Sequence, residues 1–295
     1  MLQKSSLEGF KIKGEVERLI TTLFADDTTV WLSERDSFSD LQNILDIWCK
    51  VLGAKFNITK TIIIPIGTAK YCETVVNTQK IRRFQEEHIP GDISIAKDET
   101  PVRVLEAYVE NRLDQVAIWS PILEKIEAKL DQWSKSHPTQ DGCCLIISMV
   151  VGGLTQYLTR VQGMSKDIEE ILRKKITSFM WSGSSSMVNN ETMILPVSKG
   201  GKKVLDIKAL NEAIILIKLQ CYAAQGNKRP RWAKVADDLM ASLVPKTHKS
   251  VNKETRLNPF LQQWKPSIKG GNSLPGMLIT MNKIEEEYNV GIILL

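Results

Sequence analysis

The stretch Leu19-Ile20-Thr21-Thr22-Leu23-Phe24-Ala25-Asp26-Asp27-Thr28-Thr29-Val30-Trp31-Leu32 constrains this chain more than any other. Two short apolar, β-branched runs flank a pair of adjacent aspartates, the pattern of a hairpin with carboxylates at its tip. Turns between such strands favour Gly, Asn or Pro, so Ala-Asp-Asp is locally unfavourable there. A local rule broken in that way often marks a site. Two carboxylates about 4 Å apart repel by roughly 4 kcal/mol at an effective dielectric near 20. A Mg²⁺ ion removes that cost by taking oxygen ligands at octahedral positions. In two-metal phosphoryl transfer such ions activate the attacking oxygen and stabilise the leaving one. A third carboxylate from elsewhere in the fold is normally needed.

The chain contains its own control for this pattern. Ala236-Asp237-Asp238 repeats the tripeptide, but Trp232, Val235, Leu239, Met240 and Leu243 recur around it at helical spacing. That spacing predicts a helix whose two aspartates lie on a solvated face.

With 295 residues, 43% apolar and 25% charged, the composition is that of a globular chain with one large or two ordinary domains. The net charge of +5 is unevenly spread. Residues 1–150 hold 18 Lys and Arg against 22 Asp and Glu, net −4, while residues 151–295 hold 21 against 12, net +9. The asymmetry suggests that the second half meets a polyanion, with Lys-rich solvated helices as the alternative. Five cysteines without a C-x-x-C and three scattered histidines argue against structural zinc and for a reducing, intracellular compartment, cytoplasm or nucleus. The longest apolar run, Cys143 to Leu154, is interrupted by Ser148 and paired glycines and reads as too short to span a bilayer, so no membrane partner is expected.

Before the hairpin, Leu7 to Ile12 alternates like a strand around Gly9. Asp36 or Ser37 then caps a helix to Leu52, with Gly53 at its end. The loop at 55–61 feeds a β-branched strand that stops at Pro65-Ile66-Gly67. Residues 73–88 read as helical, and Val102 to Leu113 as a second hairpin. After about residue 115 the pattern becomes helical: a stripe from Trp119 to Trp133, then helices near 141–162, 165–181, 206–225, 229–243 and 277–288. Met193 to Val197 reads as strand, the Lys199–Lys203 stretch as a basic loop, and 244–275 as loop. The fold class expected is α+β, divided at 1–114, 115–243 and 244–295.

By Phe24-Ala25-Asp26-Asp27, followed by Gly53-Ala54-Lys55-Phe56-Asn57 and Lys60-Thr61, the chain resembles the reverse transcriptases of LINE-type, non-LTR retrotransposons. Trp119 to Ile126, Met149 to Gly163, Leu205-Asp206-Ile207 and Asn258 to Gln262 are also similar to that family's downstream sequence. The resemblance implies a partial polymerase palm, an antiparallel hairpin with packed helices, followed by a mostly helical thumb-like domain. It implies Asp26 and Asp27 as metal and catalytic residues for Mg²⁺. It also places Lys60 near the triphosphate as a charge stabiliser or proton donor, against the alternative of a solvent lysine flanking a strand. Gly53 is explained as a helix terminator. The partners implied are an RNA template, a DNA primer and deoxynucleoside triphosphates. Lys199, Lys202, Lys203, Arg229 and Arg231 are the candidates for phosphate contacts. The palm strand with the third carboxylate and the fingers are expected to precede residue 1. The chain departs from the family at Glu106 and Glu110, which stand where the primer-grip hairpin has glycines. Glutamate is not expected to adopt the positive φ that glycine tolerates.

Overall fold

A computed structural model describes residues 1–82, 87–98, 100–109, 115–245, 247, 266 and 276–288. Glu110, the far end of the second hairpin, most of the 244–275 loop and the Asn258 to Gln262 segment lie outside the described residues. The chain combines helices with small sheets, an α+β class. It divides into two compact units, Met1–Val104 with Tyr108–Leu113, and Leu105–Ala107 with Asp114–Leu295.

In the first unit, β1 (Thr21–Phe24) pairs antiparallel with β2 (Asp27–Val30), Thr21 opposite Val30 and Phe24 opposite Asp27. The strand expected at Leu7 to Ile12 is reduced to one bridge, Phe10 opposite Leu19. Gly9 explains the close approach: its φ is +57°, and a Cβ there would lie 2.6 Å from the Leu19 carbonyl oxygen. Asp36 holds this edge in place. Its buried carboxylate accepts from the backbone N–H groups of Glu8 (2.6 Å), Gly9 (2.9 Å) and Ser33 (2.8 Å).

Ser37, rather than Asp36, caps α1 (Phe38–Leu52), accepting from the Asp40 N–H. Gly53 ends that helix in the left-handed region, its N–H donating to the Cys49 carbonyl. The first turns of α1 are buried through Phe38 and Leu41, while the last turn leaves Val51 and Leu52 exposed. Trp48 stacks obliquely on Phe56, their rings 5.4 Å apart. α2 (Ala69–Thr78) begins at a Thr68 cap and ends at Gln79, whose φ is +54°. The helix expected to reach residue 88 therefore stops ten residues short, because Gln79 turns the chain and its carbonyl accepts from the Ile89 N–H at 2.7 Å. β3 (Ile62–Ile63) and β4 (Ser94–Ile95) pair in parallel, and β5 (Val102–Val104) and β6 (Ala107–Val109) form a tight hairpin. Leu7, Ile20, Phe38, Leu41, Val75, Ile89 and Ile93 make the core of this unit.

In the second unit α3 (Gln115–Ser134) buries Ile118, Trp119, Ile126 and Leu130. The next helix runs unbroken from α4 (Gln140–Ile147) through a π-helical turn (Ser148–Gly152) into α5 (Gly153–Gln162). Buried Thr155 and Thr159 donate to carbonyls four residues back, which lets hydroxyls enter an apolar core. The interruption read in the sequence is thus absorbed. The 23-residue helix is long and apolar enough to cross a membrane, and 56% of its most apolar window is buried inside the protein.

α6 (Lys166–Met180) starts at a Ser165 cap and packs on α3 and α4. Met193 to Val197, expected as strand, contains instead the end of α7 (Asn190–Ile194), initiated when the Asn189 side chain accepts from the Glu191 N–H. α8 (Ile207–Ala223), α9 (Arg231–Ser242) and α10 (Gly276–Tyr288) share a core of Ile215, Leu219, Tyr222, Met240, Leu278, Met281 and Ile284.

Candidate functional site

The β1–β2 register leaves Ala25 and Asp26 as the two loop residues, with Asp27 opening β2 opposite Phe24. Ala25 has φ +51°. A positive φ at the first central position is the sign of a type II′ turn, where glycine is favoured, so the alanine is held in a strained conformation. Asp26 and Asp27 are exposed, and neither carboxylate is hydrogen-bonded or ion-paired among the described residues. Beside them Leu23 is 71% and Phe24 66% exposed, so the tip of the hairpin has apolar surface next to its acids.

Among the described residues no group of three His, Cys, Asp or Glu side chains that could hold a metal is assembled. Two exposed carboxylates supply a fraction of the oxygens that Mg²⁺ takes, and they do not fit a two-cation centre by themselves. Lys60 is not drawn to them. It closes the short 3₁₀ turn Ile58–Lys60, exposed, with its ammonium in no hydrogen bond or ion pair among the described residues. That turn is organised by Asn57, whose side chain accepts from Thr59 Oγ1 at 2.7 Å and whose carbonyl accepts from Thr61 Oγ1 at 3.0 Å.

At the second hairpin, Leu105 has φ +50° and Glu106 +64°. Two successive positive values between β5 and β6 are those of a type I′ turn. Glu106 therefore does adopt the conformation it was expected to refuse, because the two-residue connection dictates it against side-chain preference.

The five basic candidates separate into different environments. Lys199 ends the 3₁₀ turn Val197–Lys199, and the chain then folds back on residues 193–196 through Lys202 N–H to Met193 O (3.0 Å) and Lys203 N–H to Leu195 O (3.0 Å). Gly201 is required there, since a Cβ would lie 2.1 Å from the Leu195 carbonyl oxygen. Lys199 and Lys203 project exposed from this fixed turn, whereas Lys202 is ion-paired to Asp141 at 2.9 Å. Arg231 opens α9 and is exposed.

Arg229 is turned inward. Its guanidinium grips both Asp237 oxygens at 2.7 and 3.0 Å, donates to the Tyr222 carbonyl at 3.2 Å, and lies 5.2 Å over the Tyr222 ring. Tyr222 is fully buried and donates its hydroxyl to Asp237. Burial, then the Asp237 hydrogen bond and charge, push the phenol far above its ordinary pKa, and the Asp237 bond holds the Arg229 guanidinium protonated. Asp237 thus faces the core instead of the solvated side its helical spacing suggested. Arg229 is a packing residue whose charge is already matched. No signal in the sequence marks it, because the helix period fixes a face without naming what lies opposite.

No family model matches the chain, and no curated protein matches it.

Proposed function

We propose that this chain is the later part of the palm together with the thumb of an RNA-directed DNA polymerase from a LINE-type, non-LTR retroelement. The observation that carries the reading is the Phe24-Ala25-Asp26-Asp27 turn, an antiparallel hairpin with two unpaired carboxylates, Asp26 in its strained two-residue loop and Asp27 at the start of β2. The order of the downstream elements supports it: a lysine-bearing loop, a second tight hairpin at 102–109, then a helical unit that includes the more basic half of the chain. Magnesium-dependent nucleotidyl transfer belongs in this reading to the complete enzyme, working inside the cell on an RNA template, a DNA primer and deoxynucleoside triphosphates. In this reading the described residues carry two of the acids and the surface that holds duplex. Lys199 and Lys203 supply exposed charge for that surface, while Arg229 is spent on Asp237.

A second reading, a nucleic-acid-binding remnant without catalysis, is favoured by the absence of a third acid beside Asp26 and Asp27 among the described residues. Fluorescence anisotropy with a labelled RNA–DNA primer–template tests both. Each predicts affinity that falls steeply with salt, as expected when lysines displace counterions from phosphates. The polymerase reading adds a preference for a recessed 3′ end over a blunt duplex, and the remnant reading predicts none. Binding that is undetectable or indifferent to salt overturns both.

A further inference from the structure

A cavity of about 180 Å³ opens in the second unit where α6 ends and α7 begins. Its floor is apolar: Met180, Met193 and Val204 are buried there, and the half-buried Trp181 forms a wall. The chain that follows fixes this wall, since the Ser184 N–H donates to the Trp181 carbonyl at 2.9 Å and the Gly183 N–H to the Ser178 carbonyl at 2.8 Å. Ser186 and Asn190 add polar, uncharged lining, with side chains in no hydrogen bond among the described residues. Asn189 lines the cavity too. Its Oδ1 accepts from the Glu191 N–H at 3.1 Å, which leaves its amide NH2 as a donor. Arg173 brings a positive charge to the cavity, but Glu170 already holds its guanidinium through bonds of 2.8 and 2.7 Å.

An anion therefore meets a cation that is already matched, and an alkyl chain leaves the asparagine amides unpaired at a cost. The space is below the roughly 300–1,000 Å³ that holds a drug-sized molecule, so it takes a single ring system. A flat heterocycle with donors and acceptors on its edge answers both demands. Its face covers Trp181 and the methionines, and its edge meets the Asn190 amide, which offers a donor and an acceptor side by side. Between the lining residues Ser186 and Val188, Met187 is 86% exposed, apolar surface that an attached sugar covers. We propose that this cavity receives one unpaired nucleobase of a nucleic-acid strand, stacked against Trp181 and read by Asn190. A paired base presents neither its face nor its Watson–Crick edge, so the cavity favours single strand. This inference rests on the nucleic-acid reading proposed for the chain.

The test is fluorescence anisotropy with the full chain and two short labelled RNA single strands of equal charge, one of mixed sequence and one abasic throughout. The wild type is expected to bind the base-bearing strand roughly tenfold more tightly at the same salt concentration. Trp181→Ala is expected to remove most of that preference while the slope of log Kobs against log salt stays at its wild-type value, because no phosphate contact is lost. Trp181 is half-buried, so Ser186→Phe serves as a second variant. It changes an exposed residue, puts a ring into the mouth of the cavity, and is expected to abolish the preference with an unchanged melting curve. A mixture of free nucleosides is expected to erase the preference only in large excess over the strand. Nucleoside binding as tight as that of the strand overturns the proposal in favour of a free-nucleoside site. The proposal is also overturned if the wild type binds both strands equally with a steep salt dependence, or if both variants keep the preference, outcomes that leave the nucleic-acid reading intact. It falls as well if N-acetyltryptophanamide erases the preference as effectively as nucleoside, the mark of a pocket for an aromatic side chain of a protein. A wild-type chain that binds primer–template duplex but neither single strand refutes the pocket alone, and one that binds no nucleic acid refutes the reading beneath it as well.

Discussion

Asp36 shows how one side chain can organise the surroundings of a candidate site. Three backbone N–H groups, at Glu8, Gly9 and Ser33, converge on its buried carboxylate, and they tie the segment beside β1 to the start of α1. Asp36→Ala strands those donors and is expected to destabilise the first unit by about 3 kcal/mol, read by urea unfolding, while Asp36→Asn keeps the shape and loses less. An unchanged midpoint for Asp36→Ala contradicts the assignment. Sequence reading puts Asp36 at a helix start and leaves it level with Ser37 as the cap, because the three donors lie as far as 28 residues away and no local pattern names them. Asp26 and Asp27 are legible for the opposite reason: their setting, two β-branched runs around an unfavourable turn, is entirely local. The positive φ of Glu106 is not, since a two-residue connection sets φ through the pairing of its strands.

Among the elements, the long helices follow from their spacing, and the failures are short. Five residues at Asn190–Ile194 are too few for periodicity to separate helix from strand, and the Asn189 cap decides it. The contacts between helices are where sequence is silent. Glu169 on α6 hydrogen-bonds buried Asn211 on α8, with Glu212 nearby and Lys166 and Lys208 as the facing cations. Burial, reinforced by Glu212, raises the Glu169 pKa against the opposing pull of Asn211 and the lysines. An acid whose folded pKa is raised holds its proton more tightly when folded, so stability is lost as pH climbs from the ordinary glutamate range through the raised value. Glu169→Gln keeps the oxygen that Asn211 needs and removes that loss. Its melting temperature is expected to exceed wild type at pH 7 and to match it near pH 4, and a gain that is the same at both values contradicts the assignment.

Across the chain as a whole, the acid-bearing hairpin belongs to the first unit and the excess of basic residues to the second half of the sequence. The carboxylates at 26 and 27 stand free, and no third acid is gathered beside them among the described residues. The polymerase reading therefore comes down to half of a metal centre held in one hairpin. Extension of a labelled DNA primer on an RNA template by the purified 295-residue chain, measured across a magnesium titration, is the decisive experiment. No extension is expected at any magnesium concentration. Magnesium-dependent extension that Asp26→Asn abolishes would contradict the half-centre.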